Sequence, residues 1–181
     1  MPIVASAGAT FTPCPAGTFV ATCIDVVDNG MVKSTYGGKT KTQHKVTIIW
    51  EIEEKRDDGK PHRPRKRYTL SLHEKSSLRK DLESWRGRAF TEGELEGFDL
   101  EVLLGIPCMI SVIQEAKGGK VYANIKAIMT KPKNLPAPLP DPSYARECER
   151  MAADAESAGM DQSGPPDDQW EPPYDPSDVP F

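Results

Sequence analysis

The amino-acid sequence predicts a mainly β fold, in which a five-stranded barrel with one helix between its third and fourth strands is followed by a disordered acidic tail. Five segments before Lys131 have the composition and pattern of strands, and one segment between the third and fourth of them instead has helical spacing. Beyond Lys133 the composition changes to proline and acidic residues. With 181 residues, 38% of them hydrophobic, the chain can build one core of modest size and still extend beyond it.

The first half of the chain predicts three strands. Residues 1–16, which are mostly small and include two prolines, are expected to form a flexible N-terminal arm. Residues 18–27 alternate as in a half-buried strand, and Asp28-Asn29-Gly30 predicts a bend or bulge. After a turn at residues 36–39, a long second strand is expected over residues 42–54.

The second strand has an apolar face, which places Trp50 in the predicted core. That face consists of Val46, Ile48, Trp50 and Ile52, and the opposite face of Lys45, Thr47, Ile49 and Glu51. A charged loop at residues 56–65 contains two prolines and leads into a third strand at residues 67–73.

A helix is predicted next because Leu78, Leu82 and Trp85 recur at helical spacing. Ser76 or Ser77 is expected to cap its start and Gly87 to end it. The segment Thr91 to Glu94 has the form of a capping box, and Asp99 is expected to cap a third short helix over residues 100–104. Residues 107–115 and 120–130 predict two strands joined by a glycine turn.

The predicted order, three strands, a helix and two strands, is that of the oligonucleotide/oligosaccharide-binding (OB) barrel. We therefore assign residues 17–133 to an OB-fold domain. A small β-sandwich with an inserted helix is the alternative that the same order allows.

The C-terminal part of the chain has a different composition and charge. Residues 134–173 are predicted to form a disordered, proline-rich acidic linker. Residues 135–181 contain two basic and eleven acidic residues, a net charge of −9, whereas residues 1–134 have a net charge of +5. A basic body joined to an acidic tail is typical of a polyanion binder with a competitor in its own chain.

The tip at residues 174–181 predicts a protein-interaction site. An apolar ring at a chain end is free for a partner, and burial of Phe181 would contribute roughly 1.5–3 kcal/mol. The acidic groups can meet a basic rim, and proline limits the freedom lost on docking. The predicted interaction residues are Asp175, Asp178, Val179, Pro180 and Phe181.

The body carries the cationic and flat side chains that sequence-independent single-strand binding requires. Tyr36 and Tyr122, beside glycine-rich turns, are the better stacking candidates. The candidate nucleic-acid-binding residues are Tyr36, Lys39, Lys41, Lys45, Arg63, Arg65, Lys66, Arg67, Tyr68, Arg86, Arg88, Phe90, Lys120 and Tyr122.

The tip resembles the acidic C-terminal end of bacterial single-stranded DNA-binding proteins, with Val179 in the place of an isoleucine. With the strand order and the basic loops, most of the chain resembles a phage-type single-stranded DNA-binding protein. Residues 72–91 also resemble uncharacterised phage and prophage proteins. The resemblance implies a role in DNA replication, recombination and repair in the cytoplasm of a phage-infected or lysogenic bacterium. It also implies recruitment of replication and recombination proteins by the tip, and a possible homo-oligomer.

Other function classes have weak signals. No apolar run reaches the roughly 20 residues of a membrane helix, so we expect no membrane partner. Gly38-Lys39-Thr40 imitates the end of a phosphate-binding loop, but Lys33 stands where that motif needs glycine. No nucleophile motif or metal-ligand spacing is present among the histidines, cysteines and glutamates, so we predict neither an enzyme nor a cofactor, metal or disulfide.

Two other functions remain open from the sequence. The first is an interaction protein whose tip mimics the host single-stranded DNA-binding protein tail and occupies host replication proteins. The second is a phage nuclease or annealing factor built on a barrel.

Overall fold

The computed structural model describes residues 12–159, which form a mainly β structure with a single five-stranded antiparallel sheet. The order of the strands across the sheet is β3-β2-β1-β4-β5. In chain order, they are β1 (Gly17–Tyr36), β2 (Lys39–Ile52), β3 (Arg65–Thr69), β4 (Pro107–Lys117) and β5 (Lys120–Met129).

Four helical segments are present in the described range, and the first three begin at the predicted capping residues. They are α1 (Ser77–Arg86), α2 (Glu92–Glu96), a 3-10 turn at Leu100–Leu103, and α3 (Glu147–Gly159). Ser76 occupies the N-cap position of α1 without a side-chain capping bond, and Gly87 ends that helix with a left-handed φ of 69°. The predicted capping box of Thr91 and Glu94 is confirmed, and the Asp99 side chain accepts from the backbone of Glu101.

The core lies on the inner face of the sheet, against α1. Val46, Ile48, Trp50 and Ile52 are all buried there, which confirms the predicted apolar face of β2. Leu78, Leu82 and Trp85 of α1 are also buried, and the Trp50 and Trp85 rings lie 5.9 Å apart. This packing fixes the orientation of the opposite, outer face, where the polar residues of β2 lie.

The first two strands form a long hairpin that is bulged on the β1 side. Two residues of β1, Ile24 and Asn29, have no partner in the β1–β2 register, and β2 runs without interruption. The bulge at Asn29 confirms the irregularity expected at Asp28-Asn29-Gly30, whereas the bulge at Ile24 was not predicted. Because only β1 is bulged, alternate residues of β2 stay on the same face from Lys39 to Glu51.

The sheet is not closed into a barrel, so the expected closure is not present. Within residues 12–159, no hydrogen-bonded pairing joins β3 to β5, although these two edge strands approach to within 8 Å between Cα atoms. Helix α1 contacts both edges, and the Ser84 hydroxyl donates to the Ile128 carbonyl of β5. β3 is only five residues long, and the expected strand over residues 67–73 ends at Thr69.

Part of the predicted linker is folded. Residues 138–147, which we call the strap, lie across the outer face of β1 and β2. The Thr22 hydroxyl donates to the Pro138 carbonyl at 2.7 Å in a buried position, and the Tyr144 ring packs on Ile24, Val27 and Ile49. The folded domain therefore extends beyond residue 133, as far as Glu147.

The end of the predicted N-terminal arm is also packed. Cys14 is buried in the core, its carbonyl accepts from the Gln114 side chain at 2.9 Å, and the Thr12 hydroxyl donates to Asp57. Residues 12–16 therefore belong to the domain, whereas residues 1–11 lie outside the described range.

A second compact unit begins at Cys148, and residues 148–159 of helix α3 are its described part. The predicted interaction residues Asp175, Asp178, Val179, Pro180 and Phe181 lie outside the described residues. None of the helices in the described range is both long and apolar enough to cross a membrane.

Candidate nucleic-acid interface

The outer face of the β1–β2–β3 region carries a row of basic residues, which we call the basic strip. Opposite residues in an antiparallel pair share a face. Lys39 pairs with Tyr36, Thr47 with Arg67, and Ile49 with Arg65. Since β2 is not bulged, the strip has six members on one face: Tyr36, Lys39, Lys41, Lys45, Arg65 and Arg67.

The hairpin end of the strip is open to solvent. Tyr36 is 91% exposed, next to the two-glycine turn that joins β1 to β2. Gly37 and Gly38 both have positive φ, 58° and 75°, which explains why glycine occupies both turn positions. A surface cavity of about 330 Å³ is lined by Ser34, Tyr36, Lys39, Lys41 and Gln43.

The other end of the strip is formed by β3. Arg65 and Arg67 are exposed, and both line a cleft of about 140 Å³ with Val27, Asn29, Thr47 and Glu147. The Thr47 hydroxyl donates to the Asn29 side chain at 2.6 Å. Between the two ends, Lys45 donates to Gln43 and Thr69. From Thr47, the partner of Arg67, to Lys39, the strip extends roughly 26 Å at about 3.3 Å per residue.

The strap covers the outer face immediately beyond the strip. Its anchor is Asp25, which is completely buried and accepts three hydrogen bonds from the end of the strap. The donors are the Tyr144 hydroxyl at 2.9 Å, the Arg146 Nε at 3.2 Å and the Glu147 backbone N–H at 2.7 Å. Arg146 also pairs with Glu101 at 2.8 Å.

Arg63, a predicted nucleic-acid contact, holds the strap instead. Its guanidinium pairs with the buried Glu51 at 2.8 Å and with Asp141 at 3.1 Å, and it lies 4.6 Å from the centre of the Tyr144 ring. The Asp141 backbone N–H donates to the second Glu51 oxygen. Because the charge of Arg63 is neutralised by carboxylates of the domain itself, Arg63 does not belong to the candidate interface.

Lys66 and Tyr68 face the core, so their selection as nucleic-acid contacts does not fit the structure. Tyr68 is 2% exposed and has no free ring face, and its hydroxyl donates to Asp81 of α1 at 2.8 Å. Lys66 pairs with the same Asp81 oxygen at 2.6 Å. Burial and the neighbouring Asp81 carboxylate raise the pKa of Tyr68 far above its ordinary value.

The residues after α1 form a separate ion-pair cluster around Glu94. Arg86 and Arg88 both bond Glu94, and Phe90 is buried with the Arg86 guanidinium 4.5 Å from its ring centre. The Thr91 backbone N–H and the two arginines lower the pKa of Glu94 to about 2. These three predicted contacts, Arg86, Arg88 and Phe90, therefore serve the α1–α2 connection, and Phe90 offers no exposed ring for a base.

Lys120 and Tyr122 are exposed, but the structure does not bring them to the basic strip. They lie on the β4–β5 hairpin. β4 pairs with β1 as far as Gly17, the first residue of β1, and then extends beyond it to the hairpin turn after Lys117. The β1–β2 hairpin extends from the opposite end of β1. The two hairpins thus lie at opposite ends of the sheet.

The buried thiols are not poised for reaction. Burial raises the pKa of Cys14 to about 11 and that of Cys23 to about 12, so both stay protonated at neutral pH. The four cysteines are free thiols. Within residues 12–159, no group of three His, Cys, Asp or Glu side chains is arranged to hold a metal ion.

The sequence signals for the strap were weak. Asp25 reads as one polar position of an alternating strand, and Tyr144 stands between prolines and charged residues.

No protein-family model matches the chain, and a comparison with curated proteins returned no significant match. The geometry of the outer face is therefore the main basis for a functional conclusion.

Proposed function

We propose that the protein is a non-catalytic, sequence-independent single-stranded DNA-binding protein of phage DNA replication, recombination and repair. The observation that carries the proposal is the basic strip. Five cationic side chains and one exposed tyrosine share one face and lie in a line. Within residues 12–159, Lys39, Lys41, Arg65 and Arg67 form no ion pair with a carboxylate.

The strip has the two properties that single-strand binding needs. Its lysines and arginines can neutralise successive phosphates and release their counterions. Tyr36, exposed on both sides of the ring, can stack on an unpaired base, and one such stack contributes about 1–3 kcal/mol. Neither contact reads base edges, so we expect little sequence preference.

The order of the strands and the position of the basic strip support the proposal of an OB-type body. In OB domains, the face of strands 2 and 3 and the loops joining strands 1–2 and 4–5 bind oligonucleotides. The basic strip lies on β2 and β3, and the β1–β2 hairpin supplies Tyr36, Lys39 and Lys41. We propose that the curled sheet, with α1 contacting both edge strands, is an open variant of that barrel.

The acidic C-terminal segment completes the proposal. We propose that it competes with DNA for the basic strip, and that DNA binding frees the Asp178-Val-Pro-Phe181 motif to recruit replication and recombination proteins. The competition depends on charge and should be strongest at low salt.

The test is a fluorescence titration of a labelled oligothymidine with the intact protein at several salt concentrations, with duplex DNA as competitor. We expect single-strand binding whose log affinity falls by about 0.7 per phosphate contact per log unit of salt. A Lys39→Ala/Lys41→Ala variant should bind more weakly and with a smaller salt slope. The matched control, Lys75→Ala/Lys80→Ala, removes the same charge from exposed positions before and on α1. Equal losses in both variants would refute the strip as the binding surface.

A second function, an interaction protein that mimics the host tail, is favoured by one observation. Arg63, Lys66, Arg86 and Arg88, four of the predicted DNA contacts, are paired with carboxylates inside the domain. Such a protein would not bind oligothymidine with or without its acidic segment. Its activity would depend on Phe181. Phe181→Ala would abolish partner capture under either function, but only a single-stranded DNA-binding protein would keep its binding to oligothymidine.

A further inference from the structure

We propose that Asp25 is a positioning residue that fixes where the acidic C-terminal segment leaves the folded domain, beside Arg65 and Arg67, and so sets how strongly that segment competes with DNA. This inference rests on the proposed function. It goes further because it assigns the competition to a defined anchor inside the domain.

The anchor is built from buried and directional contacts. The Asp25 carboxylate accepts from the side chains of Tyr144 and Arg146 and from the Glu147 backbone, and it is completely buried. Charge-assisted hydrogen bonds of this kind are the stronger ones in proteins. Three of them within four residues of the strap hold its end in one place.

The fixed end lies at the basic strip. Glu147 lines the same cleft as Arg65 and Arg67, and its backbone N–H is bonded to Asp25. Glu147 is also the last residue of the first compact unit. The rest of the chain therefore starts from a point next to the two arginines of the strip.

The segment beyond this point has the charge of a competitor. Residues 160–181 contain six acidic residues and no lysine or arginine. For a tethered ligand the effective concentration falls roughly as the −3/2 power of tether length. An anchor at Glu147 shortens the tether compared with a chain that becomes free after residue 133.

The experiment is a double-mutant cycle between the anchor and the acidic segment. The anchor variant is Tyr144→Phe/Arg146→Gln, which removes two of the three donors to Asp25. The truncated chain ends at Gly159, which keeps the strap and α3. Oligothymidine affinity is measured at low salt for the four combinations, and thermal unfolding confirms that each is folded.

We expect the anchor variant to bind oligothymidine about 1.4-fold more tightly than the unmodified full chain, because the strap stays held at Asp141 and the tether becomes roughly six residues longer. In the chain ending at Gly159 the same two substitutions should leave affinity unchanged. Leu139→Ala, an exposed strap position, is the control and should change affinity in neither chain. Equal effects of the anchor variant in the two chains would overturn the inference.

A second variant leaves the domain untouched. Insertion of 40 Gly/Ser residues between Glu147 and Cys148 lengthens the tether while every contact of Asp25 remains, and should raise low-salt affinity about fourfold. No change on insertion would also overturn the anchor, provided that the chain ending at Gly159 binds oligothymidine more tightly than the full chain. If that truncated chain does not bind oligothymidine at all, the proposed function itself fails.

Discussion

Replacement of Asp25 by alanine should destabilise the domain, because the carboxylate holds the strap from a buried position. Asp25→Ala removes the acceptor of three hydrogen bonds and one partner of the ion pair with Arg146. It also weakens the cover that Tyr144 provides over Ile24, Val27 and Ile49.

The size of the effect follows from burial. Loss of one partner of a buried ion pair costs about 3–5 kcal/mol. The lower end applies, because the side chain of Arg146 is 23% exposed and keeps Glu101 as a second partner. A loss of about 3 kcal/mol corresponds to a decrease of roughly 6–12 °C in the thermal midpoint for a chain of this size.

The assay is urea unfolding followed by tryptophan fluorescence in the chain ending at Gly159. This chain lacks Trp170, so the signal comes from Trp50 and Trp85, which are both buried in the core. Asp28→Ala is the matched control, since Asp28 lies on the same strand but is exposed. Equal urea midpoints for the two variants would show that the strap does not stabilise the domain, and would refute the reasoning.

Three further tests address separate parts of the structure. Tyr36→Ala should weaken oligothymidine binding by about 1–3 kcal/mol without changing the thermal midpoint of unfolding. Tyr68→Phe should lower the thermal midpoint and leave the affinity unchanged. A loss of affinity for Tyr68→Phe and of stability for Tyr36→Ala would contradict the placement of Tyr36 on the outer face and Tyr68 on the inner face. Arg67→Ala should reduce the salt slope of binding by about 0.7, and Lys80→Ala should not. The pKa of Glu94 is lowered from 4.5 to about 2, so its stabilisation is complete above pH 4.5 and is lost as the pH falls towards 2. Glu94→Gln should therefore flatten the pH dependence of the thermal midpoint in that window; an unchanged dependence would argue against the cluster.

The order of elements and the core could be predicted from the sequence because both depend on local patterns. The apolar alternation of β2 and the helical spacing of Leu78, Leu82 and Trp85 place those residues correctly. The closed barrel was predicted wrongly, because closure requires a pairing between β3 and β5, which lie far apart in the sequence. No local pattern reports that pairing.

The candidate site was predicted in part, for a similar reason. Density of charge along the sequence selected Lys66 and Tyr68 together with Arg65 and Arg67, although strand alternation places the two pairs on opposite faces. The strap was missed because proline-rich, polar composition ordinarily indicates disorder. Here, hydrogen bonds to the buried Asp25 supply the stabilisation that apolar burial alone would not.

The two bulges of β1 have a consequence for how this strand tolerates change in length. Before Ile24 the odd-numbered residues of β1 face the core, as Cys23 does opposite Trp50, and after it Asp25 lies opposite Ile49 on the outer face. The bulge at Asn29 reverses the phase again. Odd-numbered residues of β1 therefore face outwards only between the bulges at Ile24 and Asn29, and they face the inner side again before the hairpin. Deletion of Ile24 alone would remove the first bulge but leave Asp25 on the outer face opposite Ile49 and the later residues of β1 with their present partners, so β1 can lose this residue without turning the Asp25 carboxylate towards the core.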